Sequence, residues 1–390
     1  MKAPIIIIGA GPAGLMAADR LSAAGMRVEI YDRMPSVARK FLMAGRGGLN
    51  LTHSEPFDRF VTRYGKRAQI LRTALEAFTP KDLRIWADGL GAETFVGSSG
   101  RVFPKAMKAS PLLRAWLKRL ESQGVKLHTR HDWRGWDGEA ILFNDNVRVI
   151  PAATILALGG ASWPKLGGDG SWVDILREKG VDISPFQPAN VGFQTPWSAH
   201  FADRFAGEPL KNIAVRFAGR EVKGELMLTR TGIEGGAIYA LSAALRDAIS
   251  KDGHADLVID LRPDLTADQA INKLKRASPK DSQINRLRKA LNLSQVAIAL
   301  IHEKPGADFK TVALRLTGAQ GLERAISSAG GIRFDALTPD FELKALPSVY
   351  AIGEMLDWEA PTGGYLLQAC FSTAVAATDA IVRKQPYTRG

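Results

Sequence analysis

A chain of 390 residues, 46% apolar and 24% charged, can bury more than one core and is too apolar to be a disordered polymer. One cysteine excludes an intramolecular disulfide and a cysteine-rich metal site, and six histidines in no HxxxH or HExxH spacing give no reason to expect a metal centre. Fifty-two basic against 40 acidic residues leave a net charge of +12, which favours anionic partners such as nucleotides, acidic substrates or nucleic acid.

The chain opens on Ile5-Ile6-Ile7-Ile8-Gly9-Ala10-Gly11-Pro12-Ala13-Gly14. The β-branched run reads as a buried parallel strand, and the glycines turn it into a helix running to about Ala24. Gly9 permits the turn, Gly11 lets a pyrophosphate approach the backbone, and Gly14 lets helix and strand pack closely. A second strand, Arg27 to Tyr31, ends in Asp32, at the distance past the glycines where an acid holds a ribose diol. Strand, turn, helix, strand and acid in register predict a dinucleotide site. Lys2 before an apolar run has the look of a signal peptide, but the glycine spacing and the charged strand that follow assign it to the fold. Residues 360–378 carry no charge and approach the length of a membrane span. Their Pro361, Gly363, Gly364, Gln368, Ser372 and Thr373 predict a buried helix instead, in a cytoplasmic protein that does not engage a membrane.

Between these ends the basic, glycine-rich loop from Arg39 to Asn50 (Lys40, Gly45, Arg46, Gly47, Gly48) is placed to run along a cofactor towards its reactive ring. Periodicity predicts helices over 68–78, 80–90 and 111–123, a turn and short strand over 97–105, a strand over 125–128 and a β-meander from Trp133 to Val149. Pro151 to Gly160 reads as an apolar strand returning to the first sheet. Residues 191–232 and 255–262 suggest short antiparallel strands, and a basic helical segment is expected from about Leu265 to Leu316. Ser348 to Ile352 forms a last strand ending in Gly353-Glu354, and Pro361-Thr362-Gly363-Gly364 opens a helix whose N-terminus offers donors and a positive dipole.

The glycine-rich opening, Gly353-Glu354 and Thr362-Gly363-Gly364-Tyr365 together resemble the BaiN/YhiN-like family of NAD(P)/FAD-dependent oxidoreductases. Arg39-Lys40, Asn50-Leu51-Thr52, Gly100 to Pro104, Leu158 to Lys165, Gly168-Asp169-Gly170 and Thr229 to Gly232 follow in the same order, so the likeness spans nearly the whole chain. The resemblance implies an α/β fold. In it a Rossmann-type FAD-binding domain (1–189 and 333–390) is split by a β-barrel-like domain (190–263 and 317–332), which carries a helical subdomain (264–316). It further implies that Gly9, Gly11, Pro12, Ala13 and Gly14 cradle the FAD pyrophosphate and that Asp32 and Arg33 lie by the adenosine ribose. Lys40, Gly45, Arg46, Gly47 and Asn50 line the way to the flavin, Trp133 meets the adenine, and Ala157 and Gly159 border the cofactor. Gly353 and Glu354 meet the ribityl chain and phosphate, and Gly363, Gly364 and Tyr365 the pyrimidine edge.

Two departures stand near the flavin. The family's Ser-Gly-x-Gly-Arg-Cys-Asn is here Ala44-Gly45-Arg46-Gly47-Gly48-Leu49-Asn50, so no thiol chemistry belongs there, and Leu366 replaces the family's Asn. The expected function is hydride transfer to or from a small, preferentially anionic organic substrate through non-covalent FAD. NAD(P)H is the transient donor, with Arg46, Arg101 and Lys105 as candidate phosphate partners. A flavoprotein amine oxidase and an FAD-containing RNA-binding or RNA-modifying protein are the alternatives. The absence of alternating aromatic and basic residues argues against nucleic acid. Cys370 is expected to be packing, His53 a loop residue rather than a proton donor, and no catalytic acid or base is assigned.

Overall fold

The computed structural model describes residues 3–45, 47–304 and 306–384, which divide into two compact units, the first from the residues up to 187 and from 327 onward, the second from 188–326. In the first unit β1 (Ile5–Ile8) leads through the glycine turn into α1 (Pro12–Ala23) and β2 (Val28–Asp32). There follow α2 (Arg39–Ala44), β3 (Thr52–His53), α3 (Phe57–Thr62), α4 (Ala68–Ala77), α5 (Pro80–Asp88), β4 (Thr94–Val96), β5 (Arg101–Pro104) and α6 (Ala109–Ser122). Next come β6 (Lys126–Thr129), the meander β7 (Trp133–Asp137), β8 (Ala140–Phe143) and β9 (Arg148–Val149), then β10 (Ala153–Leu156), α7 (Trp172–Arg177) and β11 (Ile183–Ala189).

The second unit holds β12 (Phe193–Gln194), α8 (Ala199–Phe205), β13 (Pro209–Phe217), β14 (Arg220–Thr229), β15 (Gly232–Glu234), α9 (Gly236–Tyr239), α10 (Ser242–Asp252) and β16 (Ala255–Asp260). Three helices, α11 (Ala267–Lys275), α12 (Gln283–Leu291) and α13 (Gln295–Glu303), precede β17 (Val312–Leu316) and β18 (Gly318–Ala319). The chain closes in the first unit with β19 (Ser327–Ile332), β20 (Val349–Ala351) and α14 (Tyr365–Lys384).

The first unit is built on a parallel sheet in the order β20-β10-β1-β2-β6. All four isoleucines of β1 are at most 2% exposed, as a strand covered on both faces requires. Helix α14 packs on α1 and α4. It is long and apolar enough to cross a membrane, yet 67% of its apolar window is buried inside the unit, so its hydrophobicity is spent on the core. A small sheet, β3-β5-β4, stands beside this core.

In the second unit all seven strands pair antiparallel, in the order β17-β16-β13-β14-β15-β12-β18. Helix α10 touches both β16 and β18, five places apart in that order, so the sheet curls around it as a barrel wall does. Three differences from the sequence reading appear here. The helical segment ends at Glu303, and Val312–Leu316 is a strand, because Val312, Leu314 and Leu316 are buried while Ala313 and Arg315 are exposed. Strands β13 and β14 are long rather than short, and α8 interrupts the 191–232 stretch read as strands and turns. Ser327–Ile332 lies in the first unit, paired with β11, rather than with 317–326.

Candidate cofactor and active site

The glycines of the opening turn differ in what surrounds them. A Cβ on Gly9, whose φ is +105°, would lie 2.3 Å from the Ala157 carbonyl oxygen, and one on Gly14 would lie 1.9 Å from that of Gly9. Those two positions admit glycine alone because strand, turn and helix touch there. A Cβ on Gly11 meets nothing within 4 Å. Gly11 also caps α1 without a side-chain bond, so the helix N-terminus faces open space with its partial positive charge. Pro12 and Ala13 form the first turn of α1.

Asp32 ends β2 beside this turn. Its Oδ2 accepts the Ala10 N–H at 2.7 Å and its Oδ1 the Met34 N–H at 2.8 Å, so the acid fixes the turn and keeps its remaining lone pairs. Burial raises its pKa, and the two amide hydrogen bonds oppose the shift. Arg33 is committed elsewhere: it donates to Asp169 at 2.8 Å and to the Gly167 carbonyl at 2.9 Å, pinning the 167–171 loop. Trp133 is buried in β7, and its indole N–H donates to the Gly135 carbonyl. Ala157 meets Gly9, and Gly159, at φ +73° with open space at its Cβ position, accepts the Trp172 indole N–H.

Residues far apart in sequence meet at the other end. Lys40 Nζ donates to Glu354 Oε2 at 2.8 Å and to Ser162 Oγ at 2.9 Å, while Glu354 Oε1 accepts the Ser328 N–H. A Cβ on Gly353 would stand 2.8 Å from Ala13 Cβ, so the end of β20 lies against the first turn of α1. Gly45 packs on the start of α6, where a Cβ would be 2.6 Å from Ala109 Cβ, and Gly47 has open space. Arg46 lies outside the described residues. Asn50 has a buried Oδ1 with no hydrogen-bond partner, the sign of an acceptor awaiting a ligand donor.

Gly363 and Gly364 hold φ values of +134° and +92°, and a Cβ on Gly364 would lie 2.5 Å from Thr52 Cα. Tyr365, which follows, donates its hydroxyl to Glu55 Oε1 at 2.5 Å and stacks on His53. Arg63 holds the same carboxylate through Nε and Nη2 at 2.9 and 2.6 Å. His53 Nδ1 accepts the Glu55 N–H, which leaves the ring proton on Nε2 against the Ser99 carbonyl. His53 therefore secures a loop. Burial pushes the Cys370 thiol up to about 12, so it packs as a neutral side chain.

Sequence reasoning gave no role to Ser162, Ser328, Glu55 or Arg63: Ser162 lies within the 158–165 segment but its partner Lys40 is distant, Ser328 meets Glu354 from outside the motifs, and Glu55 and Arg63, eight positions apart, belong to no motif. A cavity of 410 Å³ lined by Ala92, Glu93, Lys105, Lys108 and Pro111 opens elsewhere on the first unit; of the residues singled out in the sequence it includes Lys105, the candidate phosphate partner, and none of those given to the FAD. The open Gly11 position, the uncapped helix α1 and the unpartnered Asn50 oxygen fit a bound dinucleotide.

The chain is similar to known proteins over nearly its whole length. The family described as HI0933-like protein Rossmann domain matches residues 3–380. The 3-dehydro-bile acid delta(4,6)-reductase of Clostridium scindens is 26% identical, over 95% of this chain and 97% of its own. The ribosomal RNA dihydrouridine synthase of Haemophilus influenzae is 24% identical, over 97% and 98%. Among solved structures, a 3-ketosteroid-delta4-(5alpha)-dehydrogenase from Rhodococcus jostii RHA1 superposes with a TM-score of 0.53 at 13% identity, over 98% of this chain and 97% of that one. A flavocytochrome c3 fumarate reductase gives 0.52 at 15%, over 98% and 78%. These two likenesses are of fold.

Proposed function

The chain belongs to the HI0933-like Rossmann-domain family, and on that premise we propose that it is a cytoplasmic FAD-dependent oxidoreductase acting on a small organic substrate, with NAD(P)H as electron donor. The observation that carries the proposal is the opening turn, closed to side chains at Gly9 and Gly14 and open at Gly11. FAD, when bound, supplies hydride transfer itself. The residues of this chain bind and orient it. The turn and the α1 N-terminus receive the pyrophosphate, Asp32 offers its spare lone pairs to the ribose, and Lys40 with Glu354 meets the ribityl and phosphate groups. The start of α14 sets donors and a positive dipole at the pyrimidine edge, worth about 1 kcal/mol of stabilisation for negative charge there.

The names of the relatives support addition of hydrogen across a carbon–carbon double bond as the reaction, one on a bile acid and one on RNA. That second name, with the net charge of +12, favours a second reading in which the substrate is an RNA nucleobase. Anaerobic titration of the yellow protein tests the first reading: NADH or NADPH should bleach the flavin band, and an acceptor with a conjugated double bond should restore it. Purified protein free of FAD contradicts both readings. Oxygen uptake with amines in place of nicotinamide reduction would point to the amine-oxidase alternative.

A further inference from the structure

The sheet β3-β5-β4 turns one face to the core, where Thr52 and Val102 are fully buried. Alternation along β5 puts Arg101 and Phe103 on the other face, and the register sets His53 opposite Arg101 and Phe95 opposite Phe103. That face is open: Phe95 is 43% and Met107 38% exposed, and the Phe95 and Phe103 rings stand 6.0 Å apart. It also adjoins the loop that the functional reading gives to the flavin. A Cβ on Gly48 would lie 2.8 Å from Met107 Cε and 3.7 Å from Phe103, and the Leu49 N–H donates to the Met107 carbonyl.

The charges on this segment differ in kind. Lys105 is neutralised by Glu93 at 2.6 Å. Arg101 is exposed and, among the described residues, forms no ion pair. Its neighbour His53 stacks on Tyr365, so the cation lies near the tyrosine of the glycine motif. An exposed aromatic and thioether surface with the Arg101 guanidinium at its edge complements a flat apolar body that ends in an anion.

We propose that this face binds the redox substrate and that the substrate is a flat, apolar molecule with one anionic group. Phe95, Phe103 and Met107 cover the body and Arg101 receives the anion. This rests on the oxidoreductase reading above and names its substrate class. The FAD-loaded full chain is titrated with 2-naphthoate and, in parallel, with neutral 2-naphthylmethanol, read by ligand fluorescence anisotropy and by perturbation of the flavin band. Arg101→Gln should weaken naphthoate about tenfold or more, the scale of a lost charge-assisted bond, and change the alcohol by less than about twofold. Phe103→Ser should weaken both, with FAD content and flavin spectrum unchanged in each variant. FAD-loaded protein that binds naphthoate equally well with and without Arg101, or binds neither compound, overturns this proposal alone. So does an Arg101→Gln variant whose one defect is a raised KM for NADPH, since the arginine then serves the nicotinamide phosphate. Wild-type protein that carries no FAD sinks both this proposal and the reading it rests on.

Discussion

Gly11 and Gly14 look equivalent in the sequence and have opposite surroundings in space. At Gly11 the backbone is extended (φ −80°, ψ −177°) and a side chain would enter open volume, so Gly11→Val should leave the apoprotein's melting temperature nearly unchanged, within about 0.5 kcal/mol. The same substitution places methyl groups where the pyrophosphate is proposed to sit. It should abolish FAD retention and with it the roughly 2.7 kcal/mol gained at a hundredfold excess over Kd. Gly14→Ala should do the reverse, losing about 1–3 kcal/mol or more in the apoprotein, because its Cβ lies 1.9 Å from a carbonyl oxygen. Melting curves of both variants with and without FAD check the pair, and equal apoprotein losses would refute the distinction. Glu55 supplies a pH test. Burial alone would raise its pKa, but the hydrogen bonds from Arg63 and Tyr365 and the charge of Arg63 prevail and hold it below 4.5. A carboxylate with a lower pKa when folded adds stability above its unfolded value and loses it as pH falls through the folded one. Wild-type melting temperature should therefore drop as pH falls below about 4.5, and Glu55→Gln should start lower at neutral pH and drop less. Parallel curves for the two proteins would show that Glu55 contributes nothing.

Elements were legible where one period ran long enough to dominate. The run Ile5–Ile8, the glycines and Val28–Asp32 announce the first half of the parallel sheet, and the helical period over 80–90 gives α5. Strand Val312–Leu316 was hidden because five residues of period two follow three helices rich in Leu and Ile, and a window that averages over both reads as helix. Pairing at the site was hidden for another reason. Lys40 and Glu354 are 314 positions apart, and motif positions give each residue's place along a cofactor but not its partner. The helices of the second unit are also less separable than their sequence suggests. Leu287, Leu291, Val296, Ala297 and Leu300 are buried in the same core as Phe193 and Val215. Removing 265–316 would take these and strand β17 together, so that deletion should unfold the second unit rather than trim a cap. Leu291→Ala alone should cost about 2–5 kcal/mol in the unfolding of that unit, with FAD content unchanged. Differential calorimetry of the variant checks this, and a loss under about 0.5 kcal/mol would mean that the helices lie loosely on the sheet.

At the scale of the whole molecule the question is what the charge of +12 serves. A basic surface raises the local concentration of any polyanion, so some affinity for RNA is expected from charge alone. Recognition of single-stranded bases relies on stacking platforms, and among the described residues Phe95 is the one exposed side chain of the Phe, Tyr and Trp type. Much of the positive charge is already held in ion pairs, as at Arg315 with Asp256 and Arg333 with Asp335. Under the proposed function the positive field would serve to draw in small anions, namely the dinucleotides and the substrate. In a gel-shift series RNA affinity should fall steeply as salt is raised from about 50 to 200 mM, without preference among sequences or folds. Under anaerobic conditions NADH or NADPH should bleach the flavin on the same preparation. The two measurements decide between small molecule and RNA only when read together. Weak, salt-sensitive and indiscriminate binding with rapid flavin reduction fits an oxidoreductase of small anions. One RNA bound tightly at physiological salt, with flavin reduced by NADPH and reoxidised by that RNA, makes the nucleobase the substrate and the basic surface its docking face.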